Sequence, residues 1–282
     1  MLNLQFAPSA DLLVPMLLSR LRSVWKDPFG SPIIIVPSPA VGKWFCMRLA
    51  ACADERGRKF GCIANLSLPT LERYLWQALK PDAMMRLLDV EHFHQIICSL
   101  LDRPLIDGLI YKPVRDYLCD KGSDLVDPVK RVQLSARISR QFLEYEYNRP
   151  SVWDEERGTW KPKSGIDVHW LRGEDYGDKQ FEHQAWQKDL YGRADACISG
   201  IGDDGERLIS LPRLYRLRRE GGTGEWAASG GTVFLFGVTK VSHFHRNMLV
   251  EISQMTGVEV QLYLTNPCAE FWEDVDTRRG DG

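Results

Sequence analysis

The stretch that most constrains this chain is the run Ile33-Ile34-Ile35-Val36, set between Pro32 and Pro37. Four consecutive β-branched residues between prolines are too few for a helix and apolar on both faces. They predict a strand buried on both sides, as in a parallel sheet. After the turn Pro37-Ser38-Pro39, the residues Val41, Trp44, Phe45, Arg48 and Leu49 recur at helical spacing. A buried strand that runs directly into a helix is the first half of a parallel βαβ unit. Ligands of such folds gather at the carboxyl ends of the strands, so residues 37–43 are the first place to look for chemistry.

The flanking sequence extends the alternation. Leu2, Leu4 and Phe6 alternate with polar residues and predict a short strand. Leu12, Leu13, Met16, Leu17, Leu21 and Val24 then form a helical stripe, with Asp11 as the expected N-cap. Pro15 fits such a helix only in its first turn, where the N–H groups have no intrahelical partner. Residues 61–66 predict a third strand. Pro69 is expected at the first position of a helix bearing Leu71, Tyr74, Leu75 and Leu79. Up to residue 80 the chain reads as an open parallel α/β sheet.

From Pro81 the character changes. Residues 90–101, 113–119, 128–147, 182–198 and 212–219 read as helices, without strand signals. The longest, 128–147, has Val132, Leu134, Ile138, Phe142 and Tyr145 at apolar positions. Its cations Lys130, Arg131, Arg137 and Arg140 lie toward the polar side, and Pro150 stops it. Residues 154–179 are loop-like, with Trp153, Trp160 and Trp170 as isolated anchors, and 221–231 form a Gly-rich linker around Trp226. The alternation then returns, with a strand over 232–236, a helix over 242–255, a strand over 258–264 and a turn at 265–267. The expected fold class is α/β: a parallel-sheet domain of residues 1–80 and 230–282, split by a mainly helical insertion, 81–229.

Composition narrows the function classes. The 282 residues, 44% hydrophobic and 26% charged, allow one large or two ordinary domains around a sizeable core. A net charge of −2 means that nucleic-acid contact would have to come from a local patch. Seven scattered cysteines without a C-x-x-C pair read as free thiols of an intracellular chain. Residues 1–11 lack a basic n-region and a long apolar h-region, so no secretory signal is expected. No apolar run nears the roughly 20 residues of a membrane span. The expected location is cytoplasmic, away from membranes.

Enzymatic motifs fare poorly. A phosphate loop needs G-x-x-x-x-G-K-[ST], whose backbone N–H groups cradle phosphate while the Lys and hydroxyl meet the terminal phosphates and Mg²⁺. Gly42-Lys43 approaches it, but Pro37 stands for the first glycine and Trp44 for the Ser/Thr, and Pro37 and Pro39 each remove an N–H donor. The loop after the first strand, Ala7-Pro8-Ser9-Ala10-Asp11, has neither Gly nor Lys, and its acid repels phosphate. An ATPase would also close the strand over 232–236 with a metal-binding acidic pair, where Gly237-Val238-Thr239-Lys240 stands instead. His92 and His94, like His243 and His245, diverge by about 200° on a helix and suit no shared metal. Glu259-Val260-Gln261 only echoes a nuclease E-x-K, and Cys268 has no nearby His to activate it. The expectation is no catalytic residue, no metal ligand and no cofactor. The tryptophans could stack on bases, though most should be core.

A resemblance goes further. Ile34-Ile35-Val36-Pro37-Ser38, Trp44, Met47, Phe60-Gly61, Ala64-Asn65, Pro69 and Trp76 resemble the start of the RecC family, the gamma subunits of exodeoxyribonuclease V (RecBCD). So do Tyr145, Arg149-Pro150, Ala185-Trp186-Gln187, Val233-Phe234 with Gly237, and most specifically Thr265-Asn266-Pro267-Cys268 with Trp272 and Asp274. The similarity runs in order along essentially the whole chain.

The resemblance implies a superfamily 1 helicase-like (P-loop NTPase-like) fold, with domain 1A split by an inserted helical domain 1B and the ATPase motifs degenerate. It implies a non-catalytic subunit in double-strand break repair by homologous recombination. Such a subunit channels unwound strands between RecB-like and RecD-like partners and reads a Chi-type sequence in the 3′-ended single-stranded DNA. It also implies that the family protein continues beyond this chain. Trp76 and Arg149 match Chi-channel positions, as a stacking face and a base or phosphate contact. The helix residues Arg131, Arg137 and Arg140 would add phosphate contacts. At Thr70, Arg140, Gln141, Leu143 and Glu144 the chemistry departs from the family's, and a Leu cannot accept hydrogen bonds from a base. Core packing of Trp76 and helix capping by Arg149 are the plain rivals for those two residues. Two other functions stay open: an active P-loop ATPase or helicase domain, and a protein–protein scaffold that never touches DNA.

Overall fold

The computed structural model describes residues 2–27, 29–53, 57, 59, 64–120, 125–148, 152–154, 159–161, 185–200, 205–220, 226–227, 230–239 and 241–266. Along the chain the elements run β1 (Leu2–Ala7), α1 (Ala10–Val24), β2 (Ile33–Ile35), α2 (Pro39–Ala51), α3 (Leu71–Ala78), β3 (Met85–Leu87), α4 (Val90–Leu100) and α5 (Arg103–Ile106). A 3₁₀ turn (Leu109–Tyr111) leads into α6 (Lys112–Leu118) and α7 (Pro128–Asn148), followed by β4 (Val152–Asp154) and β5 (Thr159–Lys161). The rest comprises α8 (Ala185–Ser199), β6 (Arg207–Ile209), α9 (Leu211–Glu220), β7 (Thr232–Phe236), α10 (His243–Thr256) and β8 (Glu259–Thr265). Two compact units result: Met1–Lys80 with Glu225–Gly282, and Pro81–Gly224.

The first unit is α/β. Its four strands are all parallel, in the order β1-β8-β7-β2. Leu2 to Ala7 pair with Val260 to Thr265, and Ile33 to Ile35 with Val233 to Leu235. Ile34 and Ile35 are both fully buried. Since successive strand residues point to opposite faces, both faces of β2 are covered, as the apolar run predicts. On one face Ile34, Val36, Phe234, Phe236 and Tyr263 pack with Leu13, Leu17 and Leu21 of α1 and Phe45 and Leu49 of α2. The Phe45 and Phe236 rings are 4.7 Å apart between centroids.

Several local expectations are corrected. Of residues 61–66, the first three lie outside the described residues, and 64–66 form no strand. The outer side of β2 is instead paired through Ser67–Pro69: Ile34 N–H donates to the Ser67 carbonyl (2.9 Å), Ser67 N–H to Pro32 (3.0 Å) and Val36 N–H to Pro69 (3.0 Å). Leu71, not Pro69, is the first residue of α3, and Thr70 is its N-cap, its hydroxyl accepting from Arg73 N–H at 3.4 Å. The N-cap of α1 is Ser9, and Asp11 sits inside the first turn, ion-paired with Arg48 of α2. That start makes Pro15 the sixth helical residue, past the first turn, so the helical bond to the Asp11 carbonyl has no donor. Ser38 caps α2 with Pro39 at its first position, accepting from Val41 N–H at 3.3 Å.

Ser242 caps α10 through its oxygen, which accepts from His245 N–H (3.3 Å) and lies 2.8 Å from the ring Nδ1 of the same histidine. Burial lowers the His245 pKa to about 4, so the ring is neutral at pH 7. At the other end Gly257 takes the left-handed conformation (φ 72°) that ends the helix.

The second unit is mainly helical. Phe93 and Ile97 of α4, Phe142 of α7, and Leu190 and Tyr191 of α8 form its core with Tyr111 and Leu118. The unit also holds two small ribbons that no periodicity announces: parallel β3–β6 and antiparallel β4–β5. β5 falls within the expected loop 154–179, most of which, with Trp170, lies outside the described residues. Among the described residues, no helix is long and apolar enough to cross a membrane.

A buried ion pair ties three helices of this unit together. Glu146 of α7 is only 4% exposed. It accepts from Arg213 of α9 through both oxygens (2.6 and 3.2 Å), from the Tyr191 hydroxyl (3.0 Å) and from the Ser210 hydroxyl. Arg213 also pairs with Asp195 of α8. Burial opposes the Arg213 charge, but Glu146, Tyr191 and Asp195 outweigh it and hold its pKa above the ordinary range. Burial, reinforced by Glu146, pushes the Tyr191 pKa up.

Two outcomes follow from these contacts. Glu146→Ala leaves Arg213 with only the Asp195 carboxylate among the described residues, and the Tyr191 and Ser210 hydroxyls without their acceptor. It should cost about 3–5 kcal/mol in chemical denaturation, while Glu146→Leu combined with Arg213→Met should recover only part of the loss. For His245, the unfolded ring takes up a proton near pH 6.5 and the folded ring only near 4. Its contribution is complete above pH 6.5 and lost as pH falls toward 4, so stability at pH 5 should be roughly 2 kcal/mol below that at pH 7.5. His245→Phe should flatten that part of the pH profile.

Candidate functional site

The carboxyl edge of the sheet is where a nucleotide would sit, because Ala7, Ile35, Phe236 and Thr265 all end there. The connections at this edge are short. Pro8 and Ser9 alone join β1 to α1, and Val36-Pro37-Ser38 join β2 to α2. Three backbone donors along it are already used: Gly237 N–H bonds Tyr263 (2.9 Å), Asn266 N–H bonds Ala7 (2.9 Å) and Gly42 N–H bonds Ser38 (3.0 Å). Gly42 is buried, with Val36 Cγ2 and Leu68 Cδ1 3.5 and 3.6 Å from where a Cβ would stand, so it faces packed side chains. Lys43 beside it is exposed. The Asp11 carboxylate occupies the first turn of α1, the end of a helix that otherwise favours an anion. The edge thus has short turns, three committed N–H groups and an acid at the start of α1.

The expected DNA-contacting residues fall on two elements, one in each unit. On α3, Leu71, Tyr74, Leu75 and Ala78 form the buried stripe. Trp76 lies about 150° round the helix from it and is half-buried. Three residues before it, exposed Arg73 shares the same side and makes no side-chain hydrogen bond or ion pair among the described residues. Arg73 was not among the expected contacts, although its i, i+3 spacing from Trp76 is plain in the sequence.

On α7 the arginines separate. Arg137 and Arg140 are exposed, about 60° apart, and unpaired among the described residues. Lys130 shares their side but is tied to Asp120 at 2.7 Å. Arg131 lies about 180° from Arg140, on the side of Ser135, Ile138 and Phe142, and its Nε is buried. Glu144 is exposed on the Arg140 side. Arg149 lies outside the described residues.

Cavities in each unit are lined by other residues. In the second unit one of about 460 Å³ opens between the end of α4, the 3₁₀ turn and α8. Asp189 of α8 accepts from the Tyr111 hydroxyl (2.8 Å) and from Arg193 Nε (2.7 Å), both on Oδ2. Burial favours the neutral acid, but those two bonds outweigh it and hold Asp189 below the usual carboxylate range. The Asp189–Arg193 pair has i, i+4 helical spacing, a signal present in the sequence, whereas its link to Tyr111 spans 78 positions and is not. In the first unit a cavity of about 500 Å³ runs beside β1. Its acid, Glu259, accepts from Asn3 (2.9 Å), Arg20 (2.7 Å), Thr232 (3.2 Å) and Gln261 (2.7 Å) and is fully engaged. Among the described residues no cluster of three His, Cys, Asp or Glu side chains could hold a metal ion.

Comparison with known proteins completes these observations. The family model described as RecC, N-terminal domain, matches residues 2–281. The chain is 24% identical over 270 residues to the RecBCD enzyme subunit RecC of Haemophilus influenzae, covering 91% of this chain and 22% of that protein. It is 23% identical over 288 residues to the RecBCD enzyme subunit RecC of Mycolicibacterium smegmatis, covering 99% of this chain and 22% of that protein. The chain thus spans about a fifth of the length of these curated relatives.

Proposed function

The chain belongs to the RecC N-terminal domain family, and on that premise we propose that it is a non-catalytic part of a RecBCD-type helicase–nuclease in recombinational repair. It acts in the cytoplasm as a wall that guides the unwound 3′-ended single strand between RecB-like and RecD-like subunits. Residues 1–80 and 230–282 are a superfamily 1 helicase-like domain 1A with degenerate ATPase motifs, and 81–229 are a 1B-like insertion. The carboxyl edge of the sheet carries this reading: the place for a triphosphate, between β1 and α1, holds a two-residue turn without Gly or Lys and an acid in the first helical turn.

Trp76 offers a base-stacking face, with Arg73 beside it for phosphate. Arg137, Arg140 and Arg149 offer further phosphate contacts. Arg131, on the core-facing side of α7, contributes least. A family member reads Chi through positions that here include Leu143, so any regulatory sequence read by this chain differs from the family's.

Binding of a fluorescent dT oligonucleotide, followed by anisotropy between 50 and 200 mM salt, tests this. Arg137→Ala and Arg140→Ala should each lower the slope of log K against log salt by about 0.7. Trp76→Ala should weaken binding by roughly 1–3 kcal/mol with the slope unchanged. Absence of binding by the wild type at 50 mM salt would leave the scaffold reading in its place. ATP hydrolysis abolished by Lys43→Ala would establish the ATPase.

A further inference from the structure

We propose that the outer edge of β1 is a docking site for an uncharged, extended segment of another polypeptide chain, which joins the sheet as a further strand. The inference goes beyond the single-strand reading above and does not depend on where that strand runs. β1 is the last strand on its side of the sheet, and among the described residues no strand or bridge pairs with its outer side. The opposite end of the sheet differs, since Ser67–Pro69 cover the outer side of β2. Leu2–Ala7 hold neither a charge nor a proline, two of the devices that blunt an exposed edge.

The ladder fixes which backbone groups face outward. Asn266 N–H bonds the Ala7 carbonyl, so Ala7, and with it Gln5 and Asn3, turn their backbone groups toward β8. Leu4 therefore turns its N–H and C=O outward. Beside it lies the cavity of about 500 Å³, lined by Asn3, Leu4 and Gln5 in succession. Successive strand residues point to opposite faces, so a cavity that touches all three reaches the edge of the strand. Tyr263 also lines it, is only 2% exposed, and makes no side-chain hydrogen bond among the described residues. The charges of Arg20 and Glu259, both at the cavity, act on its hydroxyl. That acid and that cation pair at 2.7 Å, so the cavity carries no net charge. The complementary occupant is neutral as well. It is a strand whose alternate side chains set a hydroxyl or amide toward Tyr263 and an apolar group against Leu4, which is exposed. A nucleic-acid strand, with a phosphate at every step, finds no net positive charge here.

Hydrogen exchange on the intact chain, alone and mixed with RecB-like and RecD-like subunits, tests the edge. The Leu4 amide should exchange freely in the chain alone and at least about tenfold more slowly in the mixture. Leu4→Pro removes that N–H where an edge strand tolerates proline. Its thermal unfolding should stay near that of the wild type, while association weakens about tenfold. Leu4→Val keeps the N–H and should associate like the wild type. Unchanged Leu4 exchange in an associated complex, or equal association by both variants, would overturn the docking edge and leave the strand-guide reading in place. Protection of the Leu4 amide in the chain alone would overturn it too, a dimer by light scattering then naming a second copy as the occupant. A wild type that associates with neither subunit would also overturn it, and oligonucleotide binding would still decide the strand-guide reading.

Discussion

Parallel pairing between the beginning and the end of the chain is the constraint on which the first unit depends. β1 and β2 do not touch; β8 and β7 stand between them and supply the ladder bonds of both. Ile34, Phe234 and Tyr263, from three strands far apart in sequence, meet on one face over α1 and α2. A parallel sheet is stable only when both faces are covered, so the apolar run Ile33–Ile35 and the helices beside it have to arrive together. The elements at the carboxyl edge inherit their positions from this pairing, including the short turns and the acid in the first turn of α1.

The second unit is held differently. Its core is a helix-packing core in which Phe142 meets Tyr191 edge-on with centroids 5.3 Å apart. Beside it, Glu146 and Arg213 place a charged pair where water is scarce. Such a pair adds little net stability compared with apolar residues, but it demands one arrangement of α7, α8 and α9, since any other leaves a charge without its partner. The same helix carries Arg137 and Arg140 outward. One face of α7 fixes the helix and the opposite face carries exposed cations.

Much of the first unit was legible because its signals are local. The apolar run of β2 and the alternation of β1 need only a few neighbouring residues to read, and so do the strand over 232–236 and the helix capped by Ser242. What escaped depends on distance in sequence. Ser67 pairs with β2 through backbone alone, which no side-chain pattern reports. β3 and β6 are three residues each, below the length at which alternation can be seen. Pro15 in the interior of α1 is outweighed by five buried apolar residues on the same helix. On the candidate site, counting cations placed Arg131 with Arg137 and Arg140, whereas a turn of 100° per residue puts it on the other side. The Tyr111–Asp189–Arg193 group could be only half seen, since one partner comes from another helical segment.

The turn between β1 and α1 has an evolutionary consequence. A phosphate-binding loop of the G-x-x-x-x-G-K-[ST] kind needs residues enough to wrap around an anion, and only Pro8 and Ser9 are available. No succession of point substitutions can supply that length. Building such a loop here would require inserted codons, not exchanged residues, at a strand end whose neighbours already hydrogen-bond to one another.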